Sequence, residues 1–296
     1  MIDHVDHAEL PHVVRSLTDF IERNADEYTN PGIAGFLESP RSALTRPTER
    51  ELLSEFHSRV EQLVIEYAAA VVPPRGDELI FAHVYHVAEP LADNDQEIQR
   101  EIDDKLDTER KVLAALLAAE TEFRGPRRLS GTQSTRLAGI YEMLGHILVR
   151  EELPAHAALA FKRATSLFGA NEDFDAQDSC RLSRARAKRL ATFPVWRRTP
   201  GYVSDLLCGY GFRPFRMLVW IGVQLALFTG VLWQVEHEHF STALHMSLIN
   251  YLNPVGLGDL ADIGTAGRVV LIIEAWTGAV SMSVFFALLV RKWFRF

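Results

Sequence analysis

Asn253-Pro254-Val255-Gly256-Leu257-Gly258-Asp259 is the stretch on which the reading of this chain turns, because of what flanks it. Upstream, Met217 to Val235 is 19 residues without a formal charge; downstream, Val269 to Val290 is 22 residues with Glu274 alone. A bilayer core takes about 20 apolar residues of helix, so membrane spans are expected over 215–235 and 268–290. The 33 residues between them, Glu236 to Arg268, are too many for a tight hairpin, and their middle, 241–252, is apolar and helix-compatible. The pattern predicts an all-α membrane unit over 215–296, in which a short helix enters the membrane and the chain returns through a loop at 254–259.

Flanking charge sets the expected orientation. Arg197, Arg198, Arg213 and Arg216 precede the first span, and Arg291, Lys292 and Arg295 follow the second. The connection holds Glu236, Glu238, Asp259 and Asp262 against Arg268. Basic flanks stay in the cytoplasm, so both termini are expected there, in a two-span plasma-membrane protein. The acidic connection then faces outward, where it concentrates cations.

Span, short helix, glycine-containing loop and span, in that order, resemble the two-helix pore domain of potassium channels. The family's filter usually reads TVGYGD; the corresponding residues here are Pro254, Val255, Gly256, Leu257, Gly258 and Asp259. The resemblance implies that the backbone oxygens of Val255, Gly256, Leu257 and Gly258 line an ion path. Glycine suits such a path because consecutive carbonyls face one axis only when alternate residues take left-handed angles. It also implies a homotetramer, since one chain supplies one loop and the ring needs four. The permeant species would be a monovalent cation, potassium in the family, with no cofactor. Two positions depart from the pattern. Pro254 lacks the threonine hydroxyl of the innermost site, leaving Asn253 as the nearest polar group, and Leu257 packs where the family's tyrosine hydrogen-bonds.

Gly278 follows Gly258 at the distance of the family's inner-helix hinge glycine, and is read either as that hinge or as a helix-packing glycine. Glu274, one turn earlier, is costly in lipid and must face protein or water. It serves either as structural partner of a polar group on the short helix or in gating. The carbonyl end of that helix, near Leu252, carries partial negative charge that favours a cation.

The front half is of another kind. Residues 1–192 hold 23 Lys or Arg and 33 Asp or Glu, net −10, while the remainder holds eight and six, net +2. An acidic domain argues against nucleic acid and against anionic lipid as its partner. Helices are expected over 9–26, with Leu10, Val13, Val14, Leu17, Phe20 and Ile21 on one face, and over 47–72, with Thr48 and Glu51 as a capping box. Further helices are expected over 79–91, 96–123 and 175–192. From Ala138 to Asn171 the order Tyr141, Leu144, Gly145, Leu148, Ala157, Phe161, Ala164 resembles one tetratricopeptide repeat of about 34 residues. Gly169 stands at the usual proline, and a generic helical hairpin reads nearly as well. Such stacks bind proteins or self-associate, so a protein partner is implied.

Residues 193–214, with Trp196, Tyr202, Tyr210 and Phe212 among arginines, suit a membrane-interfacial linker. Cys180 and Cys208 are expected as reduced thiols on the cytoplasmic side. Without a basic-then-apolar leader, the first span is expected to direct insertion. His4, His7 and His12 read as solvated, and Glu236-His237-Glu238-His239 as a wet outer loop. Phosphate-loop, nucleophile-elbow, dinucleotide and Cys-x-x-Cys motifs are missing from the chain. The sequence therefore supports no enzyme and leaves two readings, a channel subunit or a non-conducting, membrane-anchored, protein-binding adaptor.

Overall fold

A computed structural model describes residues 12–29, 49–70, 76–88, 102–192, 195–212, 215–236, 239–252 and 264–293. Every regular element among them is helical. The chain divides into two compact units, Met1–Val195 and Trp196–Phe296.

The first unit is built around one helix. α4, Ile102–Arg124, buries eight consecutive residues from Val112 to Ala119, and a helix apolar on every side must be surrounded. α1, His12–Tyr28, and α2, Glu49–Ala69, both pack on it. They bring the stripes Val14, Leu17, Ile21, Ala25, Tyr28 and Leu52, Phe56, Val60, Leu63, Tyr67. The α1 stripe is narrower than expected: Val13 is exposed and Phe20 half-buried. The short α3, Ala82–Ala88, covers α4 as well. Full burial of each large apolar side chain contributes about 1.5–3 kcal/mol.

α5, Gly131–Arg150, α6, Pro154–Ala170, and α7, Phe174–Leu190, complete the unit as successive packed helices. Thr48 lies outside the described residues, but a capping box does form at Ser130 and Gln133, whose side chains each bond the other's backbone N–H. Gly145 is the close approach of the α5–α6 hairpin. A Cβ there would lie 2.7 Å from the Phe161 ring, so the small residue and the aromatic at these positions do meet.

Polar groups tie the layers together. Tyr28 Oη donates to the Leu52 carbonyl at 2.7 Å and lies 2.8 Å from His156 Nε2. Its one hydrogen is thereby used, so Nε2 donates to it, which fixes the tautomer. Glu122 accepts from the Ile80 amide at 2.7 Å and from Tyr85 Oη at 2.8 Å, pinning the start of α3 to α4. Burial raises the Glu122 pKa, against the lowering effect of these bonds.

A carboxyl whose folded pKa is raised contributes stability that is fully present below the ordinary glutamate value and lost as pH climbs through the raised one. The melting temperature of the full chain in detergent, minus that of Glu122→Gln, is therefore expected to fall as pH rises through this window. A difference independent of pH would show that Glu122 titrates as an exposed carboxyl does.

A 3-10 turn at the boundary of the units, Val195–Arg198, leads into the second unit's α8, Thr199–Cys208, followed by α9, Phe215–Glu236, α10, Phe240–Leu252, and α11, Thr265–Trp293. α9, α10 and α11 pack pairwise on one another. α9 and α11 are each long and apolar enough to cross a membrane, yet only 17% and 28% of their apolar windows are buried. Core helices of a water-soluble fold would be mostly buried; here Val219, Leu227, Ile272 and Trp276 remain more than half exposed. Exposed apolar surface on this scale requires a covering of lipid or protein.

Candidate functional site

Asn253, Pro254, Val255, Gly256, Leu257, Gly258 and Asp259 lie outside the described residues, and so do His237 and Glu238. What is described is the helical frame on either side of that stretch. α10 ends at Leu252, and the two residues before it anchor its last turn to the long helices, Asn250 to α11 and Tyr251 to α9 and α11.

Asn250, 2% exposed, faces α11. Its Nδ2 donates to the Leu271 carbonyl at 2.7 Å and to Glu274 Oε2 at 3.1 Å. Glu274 is wholly buried. The Ser247 hydroxyl, one turn earlier on α10, lies near this carboxyl without reaching hydrogen-bonding geometry, and Glu274 Oε1 keeps no hydrogen-bond partner among the described residues. Of the two roles open to Glu274, partner to a polar side chain of the short helix is the one with a contact to support it.

Tyr251 reaches both α9 and α11. Its Oη donates to Gln224 Oε1 of α9 at 3.4 Å, and the same oxygen accepts from Ser281 Oγ of α11 at 2.9 Å. One amide oxygen thus joins all three helices. The Tyr251 ring lies where Gly278 has no side chain: a Cβ on Gly278 would come within 3.0 Å of two ring carbons. Gly278 leaves room for this ring, and α11 continues as helix through it.

At the opposite end of the frame, Glu236 Oε2 accepts from the Gly264 amide at 3.2 Å, so the connection leaves and re-enters at one level. Glu236, expected simply as part of an acidic outer loop, also closes that loop. Between the two ends Leu232, Ala243 and Leu271 form a small apolar contact with Met246 packed on it. Thr229 Oγ1 is buried there without a partner among the described residues.

The sequence reading named Glu274 and Gly278 but missed Gln224, Asn250, Tyr251 and Ser281. A usable signal existed for Gln224, an amide in the middle of an otherwise apolar span; such groups seek a partner inside the protein. For Gly278→Ala, overpacking is expected to cost about 1–3 kcal/mol, read as a lower melting temperature in detergent. In a Tyr251→Ala background the same change should cost little. Equal costs in both backgrounds would separate Gly278 from the ring.

Searches against family models, curated proteins and solved structures returned no match to this chain.

Proposed function

We propose that the chain is one subunit of a passive, potassium-channel-like cation pore, a homotetramer in the plasma membrane with both termini in the cytoplasm. The observation that carries this reading is the seating of α10. A 13-residue helix too short to cross a bilayer packs on two helices long enough to do so, and its final turn is held on both. The two-glycine stretch follows at once.

In this reading Val255, Gly256, Leu257 and Gly258 offer backbone oxygens to a dehydrated monovalent cation, with Asn253, Pro254 and Asp259 supporting the turn. Selectivity comes from the number and field of those oxygens. No side-chain chemistry and no cofactor enters. The exposed apolar faces of α9 and α11 meet lipid and sister subunits, and the helical unit at the front assembles or regulates the pore through a protein partner.

The second reading is the non-conducting adaptor, favoured by Pro254 and Leu257, which remove the hydroxyls found at those positions in the potassium-channel filter. Potassium efflux from liposomes holding the purified chain, with sodium as the comparison ion, separates the two. Flux above that of empty liposomes supports the pore, and its absence from protein that forms tetramers supports the adaptor.

A further inference from the structure

The stretch from Trp196 to Leu206 carries features that neither the fold nor the pore reading uses. α8 places Thr199, Tyr202, Val203 and Leu206 on one face, at the spacing of a helical row. Tyr202, Val203 and Leu206 are 52%, 51% and 62% exposed, and Trp196 just before them is 71% exposed. The helix is nevertheless fixed. Two carbonyls of its last turn, on Asp205 and Leu206, accept from Arg216 Nη1 at 3.2 Å and Trp220 Nε1 at 3.0 Å, both on α9. Gly209 closes the turn in the left-handed region, with φ of 55°. An apolar face is thus held at a set angle to the first apolar helix.

Charge distinguishes the occupants of such a face. Between Trp196 and Leu206 the charged residues are Arg197, Arg198 and Asp205, and Asp205 lies 4.0 Å from Arg216, in a chain of net charge −8. Arg197 lies over the Trp196 ring at 5.5 Å, a pair that presents an apolar plate and a cation together. An acidic peptide would match the charge but leave the Tyr202–Leu206 face in water. A bilayer surface matches both, because apolar side chains sink into the headgroup boundary while arginines meet lipid phosphates.

We propose that Trp196–Leu206 docks into the headgroup layer of the leaflet that α9 enters, and that Arg197 and Arg198 make this docking selective for anionic lipid. The proposal rests on α9 crossing the membrane and is independent of ion conduction. Net charge conceals it, since the acidic residues of the front unit outnumber the four arginines, Arg197, Arg198, Arg213 and Arg216, that stand at the first span.

The test uses the full chain with Cys180→Ala and Cys208→Ser, and Val203→Cys carrying an environment-sensitive fluorophore. It is reconstituted into phosphatidylcholine vesicles with or without phosphatidylglycerol. Docking shifts the label's emission to the blue and shields it from acrylamide, a neutral quencher, in the anionic vesicles. Each basic residue near an anionic surface favours binding about fivefold, so Arg197→Gln with Arg198→Gln shifts the docked-to-undocked ratio by about 25-fold. High salt acts in the same direction. Equal shielding in the two kinds of vesicle, or shielding unchanged in the glutamine variant, overturns the proposal. Protein that floats with vesicles on a density gradient yet leaves the label open to acrylamide overturns the docking alone. Protein that fails to float overturns the membrane reading as well.

Discussion

Liposomes carrying the Gly256→Ala or the Gly258→Ala protein are expected to release potassium no faster than empty ones, while the unsubstituted chain conducts. In the proposed pore, carbonyls of successive residues share one axis, which demands left-handed backbone angles at alternate positions. Glycine adopts them freely, whereas an L-residue with a Cβ costs roughly 1–2 kcal/mol each. In the proposed homotetramer four subunits would meet at one axis, so the strain would be repeated four times at the narrowest part of the path. The chain can relieve it only by rotating the peptide and withdrawing an oxygen from the ion. Because the affected residues follow α10 rather than belonging to it, the three-helix frame and the mass of the assembly in detergent should not change. Flux through either alanine variant at the wild-type rate, in an assembly of unchanged mass, would remove Val255–Gly258 from the ion path.

The frame around those residues was legible for a definite reason. Long apolar runs have few alternatives, so α9 and α11 fall within a few residues of the spans read from hydropathy, and α10 follows from a shorter apolar run between them. Glu274 was legible as a problem, an acid in an apolar helix, and Asn250 is the answer the structure supplies. The partners of Tyr251 were not legible. Gln224, Tyr251 and Ser281 lie on three different helices, and no periodicity within one helix says which polar group it will meet on another.

The front unit shows the same limit more sharply. Gly145 and Phe161 could be paired because a small residue and an aromatic recur at hairpin spacing, and a Cβ on Gly145 would strike that ring. Glu120, by contrast, directly follows the apolar run 112–119 on a helix rich in charge, and nothing in that run says whether the acid is covered. It is in fact wholly buried. Its partner Arg163 is 43 residues away on another helix, beyond any local pattern.

Removing that carboxylate should have the largest effect of any single change in the front unit. Glu120 receives Arg163 through two parallel bonds, Nε to Oε1 at 2.6 Å and Nη2 to Oε2 at 2.9 Å. Arg124 Nε approaches Oε2 at 2.9 Å, and Tyr141 Oη donates to Oε1 at 3.2 Å. One acid therefore links α4, α5 and α6. Burial by itself would lower the Arg163 pKa; the bonds and charge of Glu120 more than reverse this. Glu120→Ala strands two guanidinium groups beside a buried gap. Losing one member of a buried pair costs about 3–5 kcal/mol, or a melting temperature lower by about 6–20 °C for a unit of this size. The Phe123 ring, 4.6 Å from the Arg163 guanidinium, offers the stranded cation only partial compensation. Glu120→Met combined with Arg163→Met should cost less than Glu120→Ala alone, because Arg124, at the more exposed edge, is then the one stranded charge, while the Tyr141 hydroxyl loses its acceptor in both variants. A Glu120→Ala protein that melts with the wild type would mean that these bonds contribute nothing net. A double variant no better than the single would place the loss in packing rather than in the unpaired charge.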